Sequence, residues 1–357
     1  MESEKGTVCV TGGTGYIGSW LILRLLDHGY SVRTTIRSNS ERESDIDVEI
    51  VAAEHKKDLG FLTSLPGASE KLKIFDADLN DPESFRAAIE GCIGVFHVAT
   101  PVDFFGKDTE EVVIKRSSEG ATGILKACLE NSKTVKKLVY TSSASAVGLN
   151  GNNSDELDES VWSDIDYVKS LRSPGLSYAI SKTLTERAVL EFSEKHGFEV
   201  VTLVPSIVVG PFICPKFAGS VQFTLGLLSG KMKNVESSSL ASIDMVHVDD
   251  VARAHIFLFE HPEAKGSSEK DQTKSLKLLP SLSSKKLLDL GFKFKYGVEE
   301  MLDDAVKCSK EKGVTESVIT LFDNKETWRL GKKYNPQIIN VTARRLGKVV
   351  WLNILLQ

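Results

Sequence analysis

Short runs rich in apolar and β-branched residues alternate with longer stretches of helical periodicity through the first two thirds of the chain. The runs at 8–10, 32–36, 72–75, 94–98, 138–140 and 200–204 have the length and content of strands buried on both faces. Between them, residues 16–29, 82–90, 112–131 and 178–196 place apolar side chains at helical spacing. Strands separated in this way by helices predict an α/β fold, a doubly wound parallel sheet of the Rossmann kind.

The first of these strands runs straight into Thr11-Gly12-Gly13-Thr14-Gly15-Tyr16-Ile17-Gly18 and then into the first predicted helix. A glycine turn between a buried strand and a helix lets the main chain approach a pyrophosphate, and the helix N-terminus offers free amides and a positive partial charge. Gly12 and Gly13 are expected to take backbone angles barred to other residues, Gly15 to admit the phosphates, and Gly18 to allow close helix–strand packing. In this strand–turn–helix setting the pattern predicts a dinucleotide site.

Where such a cofactor is NAD, an acidic residue at the tip of the second strand bonds the ribose 2′-hydroxyl. Here that strand ends in Arg37, a guanidinium suited to a 2′-phosphate, so the cofactor expected is NADP(H). Asp78-Leu79 follow the third strand and Val98-Ala99-Thr100 end the fourth, at the carboxyl edge where ligands of open sheets lie.

Tyr178 and Lys182 stand four residues apart on a predicted helix and so share a face. An ammonium next to a phenol is expected to lower the tyrosine pKa toward neutrality and make Tyr178 a general acid for a carbonyl under reduction. Lys182 can also bond the nicotinamide ribose. The third member is expected at the end of the fifth strand, where Ser143 is the first choice and Ser142 and Ser145 are alternatives.

Bulk properties narrow the class. A chain of 357 residues, 41% hydrophobic, can bury a large core, and a net charge of −5 gives no basic field for nucleic acid. Five scattered cysteines fit neither a disulfide scaffold nor a metal site. With no apolar leader and no stretch long enough to span a bilayer, a soluble cytoplasmic protein is expected. Three segments fit the rhythm poorly: the acidic 39–53, the polar 266–278, and the basic stretch 314–357, expected to be an incidental extension.

The motifs together resemble the extended short-chain dehydrogenase/reductases and, within them, the plant dihydroflavonol-reductase-like group. The resemblance rests on the glycine turn, Phe96-His97-Val98-Ala99-Thr100-Pro101, Tyr140-Thr141-Ser142-Ser143, the Tyr178/Lys182 pair, 205–211 and 245–255. It implies a catalytic triad of Ser143, Tyr178 and Lys182, with Gly12, Gly13, Thr14, Gly15, Tyr16 and Ile17 on the pyrophosphate. It also implies Arg37 and Lys57 at the 2′-phosphate, Asp78 and Leu79 at adenine, and Val98, Ala99 and Thr100 beside the nicotinamide. Pro205 would set the carboxamide, and Ser220 would contact the cofactor near the substrate. The implied activity is NADPH-dependent reduction of a carbonyl on a flavonoid, isoflavanone or related phenolic compound by a monomer.

The implied layout is a cofactor domain over 1–205, with 39–53 as an insert, and a smaller substrate lobe over 206–313. That lobe is shortened around 266–278 and returns in part to the sheet. The shortening raises an alternative expectation of an NADP-binding protein with weak or no turnover. Gly148 stands where dihydroflavonol reductases carry an asparagine, and Leu176-Ser177-Tyr178-Ala179-Ile180 departs from the cinnamoyl-CoA reductase pattern, so neither of those activities is implied.

Overall fold

A computed structural model of the chain describes residues 5–37, 59–101, 109–149, 156–157, 161–171, 176–228, 244–262, 281–313 and 350–354. The expected insert 39–53, Lys57, the expected shortening at 266–278 and most of 314–357 lie outside the described residues.

Five strands open the fold: β1 (Thr7–Thr11), β2 (Ser31–Ile36), β3 (Leu72–Asp76), β4 (Gly94–His97) and β5 (Lys137–Thr141). They are followed by β6 (Glu156–Leu157), β7 (Glu199–Pro205), β8 (Ile207–Val209), β9 (Met245–His247), β10 (Ser281–Leu282) and β11 (Val350–Ile354). The helices of ten or more residues are α1 (Tyr16–Asp27), α2 (Glu110–Glu130), α3 (Leu176–His196), α4 (Gly219–Leu228), α5 (Val248–Glu260) and α6 (Val298–Glu311). One seven-stranded sheet runs β11-β7-β5-β4-β1-β2-β3. Its pairs are parallel except the last, in which β11 runs antiparallel to β7. This is the expected Rossmann sheet, with its six parallel strands, β1 to β5 and β7, where the apolar runs placed them.

Alternation along each strand divides the core between the two faces. Val8 and Val10 of β1, Phe96 of β4 and Val139 of β5 pack with Leu21, Ile22 and Leu25 of α1 and Ala252 and Ile256 of α5. Cys9, Val95, Leu138 and Tyr140 point the other way, onto Ile124, Leu125 and Cys128 of α2 and Val189 and Phe192 of α3. Each inward residue removes apolar surface from water at roughly 25 cal/mol per Å². The two clusters therefore clamp the strands whose carboxyl ends carry the site.

Beyond β7 the chain forms a smaller apolar unit. Val209, Phe212 and Met245 pack with Val221 and Leu225 of α4 and with Met301, Leu302 and Ala305 of α6. Asp250 ties this part to α5, accepting from the amides of Lys295 (2.9 Å) and Tyr296 (3.2 Å) just before α6. Its neighbour Asp249 accepts from Trp20 Nε1 of α1 at 3.0 Å and also bonds Arg24. The 245–255 motif thus holds helices together, and its last residue, His255, also bonds Thr141 Oγ1 at the carboxyl end of β5 at 2.7 Å.

Candidate active site

The glycine turn hangs from the end of β2: the amides of Gly12 and Gly13 both donate to the carbonyl of Thr35, at 3.1 and 3.0 Å. Gly12 has φ +75°, which only glycine adopts freely. Gly13 does not; the expectation of a special angle there is corrected by its surroundings. A Cβ on Gly13 would lie 2.1 Å from Thr34 Oγ1, so the constraint is space. At Gly18 a Cβ would lie 2.3 Å from the Gly12 carbonyl oxygen, so the close packing is of the helix on the glycine turn rather than on the strand as expected. A Cβ on Gly15 meets nothing closer than 3.2 Å, and α1 starts just after it with no side-chain cap. That 3.2 Å is a tight contact, with the Gly12 carbonyl oxygen, and the uncapped helix amides behind this glycine are the donor set an anion needs. The turn therefore fits the pyrophosphate of a dinucleotide.

Thr11, at the last position of β1, closes the floor. Its hydroxyl accepts from the amides of Val98 (3.1 Å) and Ala99 (3.0 Å), which leaves its proton for Nδ1 of His97 at 2.9 Å. The imidazole then carries its own proton on Nε2. Burial, with the nearby Lys182 ammonium, pushes the His97 pKa down to about 3, so the ring is neutral. Sequence reasoning passed over Thr11 as part of the glycine motif; the signal was a hydroxyl at the tip of an otherwise apolar strand.

The predicted cofactor residues are placed unevenly. Arg37 is exposed just past β2, at the carboxyl edge. Asp78 spends its Oδ1 on Asn80, accepting from the amide (2.8 Å) and side-chain nitrogen (2.9 Å), a turn-building role. Leu79 packs on α2, where a Cβ on Gly120 would come within 2.7 Å of it. Thr100 faces Lys182, and Pro205 is buried at the end of β7. Ser220 lies in the first turn of α4, where its carbonyl accepts from Thr224 Oγ1 at 2.8 Å.

Ser143, Tyr178 and Lys182 come together at the carboxyl ends of β4 and β5. Ser143 caps a short 3₁₀ turn, Ala144–Ala146, and its hydroxyl receives Ser145 Oγ at 2.9 Å. It also hydrogen-bonds the Tyr178 phenol. Ser142 is buried and turned away to Glu186, so of the three serines Ser143 is the one joined directly to Tyr178. Lys182 is 3% exposed; its Nζ donates to the Thr141 carbonyl and to Thr100 Oγ1, each at 2.8 Å. A cleft beside it is lined by His97, Thr100, Ser117, Tyr140 and Thr185.

The electrostatics correct one expectation. Lys182 does not draw Tyr178 toward neutrality. Its ammonium sits 6.0 Å from the Tyr178 ring centroid, directed at oxygens of β5 and Thr100. Burial raises the phenol above its ordinary pKa, and the hydrogen bond with Ser143 only opposes that rise. Tyr178 is thus protonated at neutral pH, the form a proton donor requires. The perturbed partner is Lys182 itself, lowered by burial to about 7 while the Glu186 carboxylate works against the fall.

Comparison with known proteins shows the family. The model of the NAD dependent epimerase/dehydratase family matches residues 8–270. The chain belongs to that family. Vestitone reductase of Medicago sativa is 50% identical to this family member over 341 residues, 88% of this chain and 99% of that protein. A dihydroflavonol 4-reductase of Callistephus chinensis is 42% identical over 339 residues, 87% of this chain and 88% of that one. The crystal structure of vestitone reductase from alfalfa superposes with TM-score 0.68 at 47% identity, covering 87% of this chain and 100% of that chain. A match across nearly the whole relative does not favour the alternative of an inactive remnant. Among the described residues, no helix is long and apolar enough to cross a membrane.

Proposed function

We propose that this member of the NAD dependent epimerase/dehydratase family is an NADPH-dependent reductase of a carbonyl on a flavonoid, isoflavanone or related phenolic substrate. The observation that carries the reading is the hydrogen-bonded Ser143–Tyr178 pair beside Lys182, set at strand ends next to a turn that fits a pyrophosphate. Likeness to vestitone reductase and dihydroflavonol 4-reductase supports the substrate class.

Gly12, Gly13, Thr14, Gly15, Tyr16 and Ile17 would hold the pyrophosphate, and Arg37 the 2′-phosphate. Val98, Ala99, Thr100 and Pro205 are assigned to the nicotinamide end. When bound, NADPH supplies the hydride that reduces the carbonyl carbon. Tyr178 holds the proton that the carbonyl oxygen takes up, and its raised pKa keeps that proton in place until negative charge develops on the oxygen. Ser143 donates a hydrogen bond to the same oxygen and fixes the phenol's direction. Lys182, 6.0 Å from the ring, would place positive charge on the side of the phenolate that remains after transfer. The buried Thr141 and the half-buried Thr100 hold its ammonium in position, so none of this order is created during the reaction.

Turnover of NADPH against phenolic ketones, followed by its absorbance and by product analysis, tests the reading. Stoichiometric conversion of a flavanone- or isoflavanone-type ketone to the alcohol is the expected result. Tight NADPH binding with no reduction of any phenolic ketone or aldehyde would overturn it.

A further inference from the structure

One turn along α3 from Lys182 stands a second charged group that the mechanism has not used. Glu186 is completely buried. Its Oε2 receives the hydroxyl of Ser142 at 2.6 Å and its Oε1 that of Thr202 at 3.0 Å. Both oxygens accept, which is the arrangement of an ionised carboxylate. Ser142 directly precedes Ser143 at the end of β5, and Thr202 lies in the middle of β7. One side chain therefore fastens the helix carrying Tyr178 and Lys182 to two adjacent strands.

A buried carboxylate is costly unless something in the fold compensates it. The groups around Lys182 show what this one does. His97 faces the ammonium from β4 and is neutral, Tyr140 of β5 presents its ring at 5.2 Å, and Tyr178 lies on the same helix. Ser117 of α2 lines the same cleft without charge. Hydrogen bonds to Thr141 and Thr100 hold the ammonium, and the Glu186 carboxylate is the negative charge that favours its protonated form among the described groups acting on Lys182. At i and i+4 on a helix the two residues are neighbours, at roughly 5–6 Å between Cβ atoms.

We propose that Glu186 is a positioning residue for the reduction. It pins α3 to the end of β5 and the middle of β7 through Ser142 and Thr202, and it supplies the counter-charge that lets the buried Lys182 stay an ammonium. The proposal rests on the reading of Lys182 as a charged partner of Tyr178 and of the cofactor ribose. Its sign is fixed. Burial lowers Lys182 to about 7 even with Glu186 in place, so without the carboxylate the lysine gives up its proton at still lower pH.

Glu186→Gln keeps the size and hydrogen-bonding capacity of the side chain and removes its charge. Two pH profiles are measured on the full chain: NADPH affinity from cofactor fluorescence, and kcat/KM for a phenolic ketone. In the parent protein both should decline as pH rises past about 7. In Glu186→Gln the decline should start lower by about one pH unit, the scale on which a nearby opposite charge shifts a pKa, with near-normal values on the acid side. Thr202→Val loses one anchor but keeps the charge, and should leave the limb in place. Should Glu186→Gln not fold, Glu186→Asp serves: charge retained and reach shortened, it should lower kcat without moving the limb. An unmoved limb in Glu186→Gln, or an equal loss at every pH, overturns the proposal. A parent protein that turns over no phenolic carbonyl counts against the proposed function alone, because the NADPH-affinity profile still reports on Glu186.

Discussion

Replacing Gly13 by alanine isolates one contact in the cofactor turn. The added Cβ would stand 2.1 Å from Thr34 Oγ1 and 2.9 Å from Ile22 Cδ1. Thr34 cannot step aside freely, because its hydroxyl donates to the Val10 carbonyl at 2.9 Å inside the sheet. Overpacking of this kind costs ~1–3 kcal/mol, and losing the Thr34 hydrogen bond adds about 1 kcal/mol. The expected destabilisation of Gly13→Ala is thus about 2–4 kcal/mol, a large share of a typical stability of ~5–15 kcal/mol. Thr34→Ala alone should cost about 1 kcal/mol. Combined, the two should cost less than their sum by at least about 1 kcal/mol, since each removes part of what the other disturbs. Urea unfolding of the four proteins without cofactor measures the cycle, and NADPH titration should show weaker binding to Gly13→Ala. Strict additivity, or a Gly13→Ala protein as stable as the parent, would refute the steric account of this glycine.

Tyr178→Phe should lower kcat by roughly 10²–10⁴-fold, the usual worth of a positioned acid, with NADPH affinity and the unfolding curve little changed; a variant retaining most of its rate would remove Tyr178 from the mechanism. Arg37→Asp should cost NADPH about ten-fold to a hundred-fold in affinity, as charge-assisted bonds do, and leave NADH binding level or better. Equal affinity of the parent protein for both cofactors would contradict the role given to Arg37. Burial holds His97 near a pKa of about 3 and His255 near about 4, both below the ordinary 6.5. Each therefore stabilises the fold fully above pH ~6.5, and that contribution shrinks by about 1.4 kcal/mol per pH unit as pH falls toward its own pKa. Denaturation midpoints should drop between pH 7 and 5, and His255→Phe should soften that drop; a fold equally stable at pH 5 would show that the rings are not buried neutral.

The parallel sheet was legible because burial on both faces leaves continuous apolar runs, and β1 to β5 and β7 fall on those runs within a residue or two. The glycine turn and the Tyr178/Lys182 pair were legible because each is a local spacing. What escaped was long-range. That Gly13 is excluded by Thr34, that Thr11 bridges β1 to the end of β4, and that Glu186 joins three elements are facts about residues distant in sequence. Spacing also misjudged the sign at Tyr178: it brings an ammonium near a phenol but does not reveal that the phenol is desolvated or that the buried Lys182 turns to Thr141 and Thr100. Strand β11 lies in a stretch expected to be incidental: the run Val349-Val350-Trp351-Leu352 has the content of a strand, but nothing local says that it pairs with β7, far away in sequence.

That last strand has a consequence for how the molecule is made. Val350 to Ile354 pair with Pro205 to Val201, so the outer border of β7 is covered by residues that leave the ribosome long after β7 itself. Domains fold as they emerge, and the parallel sheet through β7 has all its partners well before then. A nascent chain therefore carries, for the time it takes to synthesise the rest, a native-like sheet with one row of amides and carbonyls open to any other extended chain. Fidelity of assembly then becomes a race between arrival of the proper strand and capture by a wrong one, decided by translation speed and crowding rather than by the stability of the finished fold.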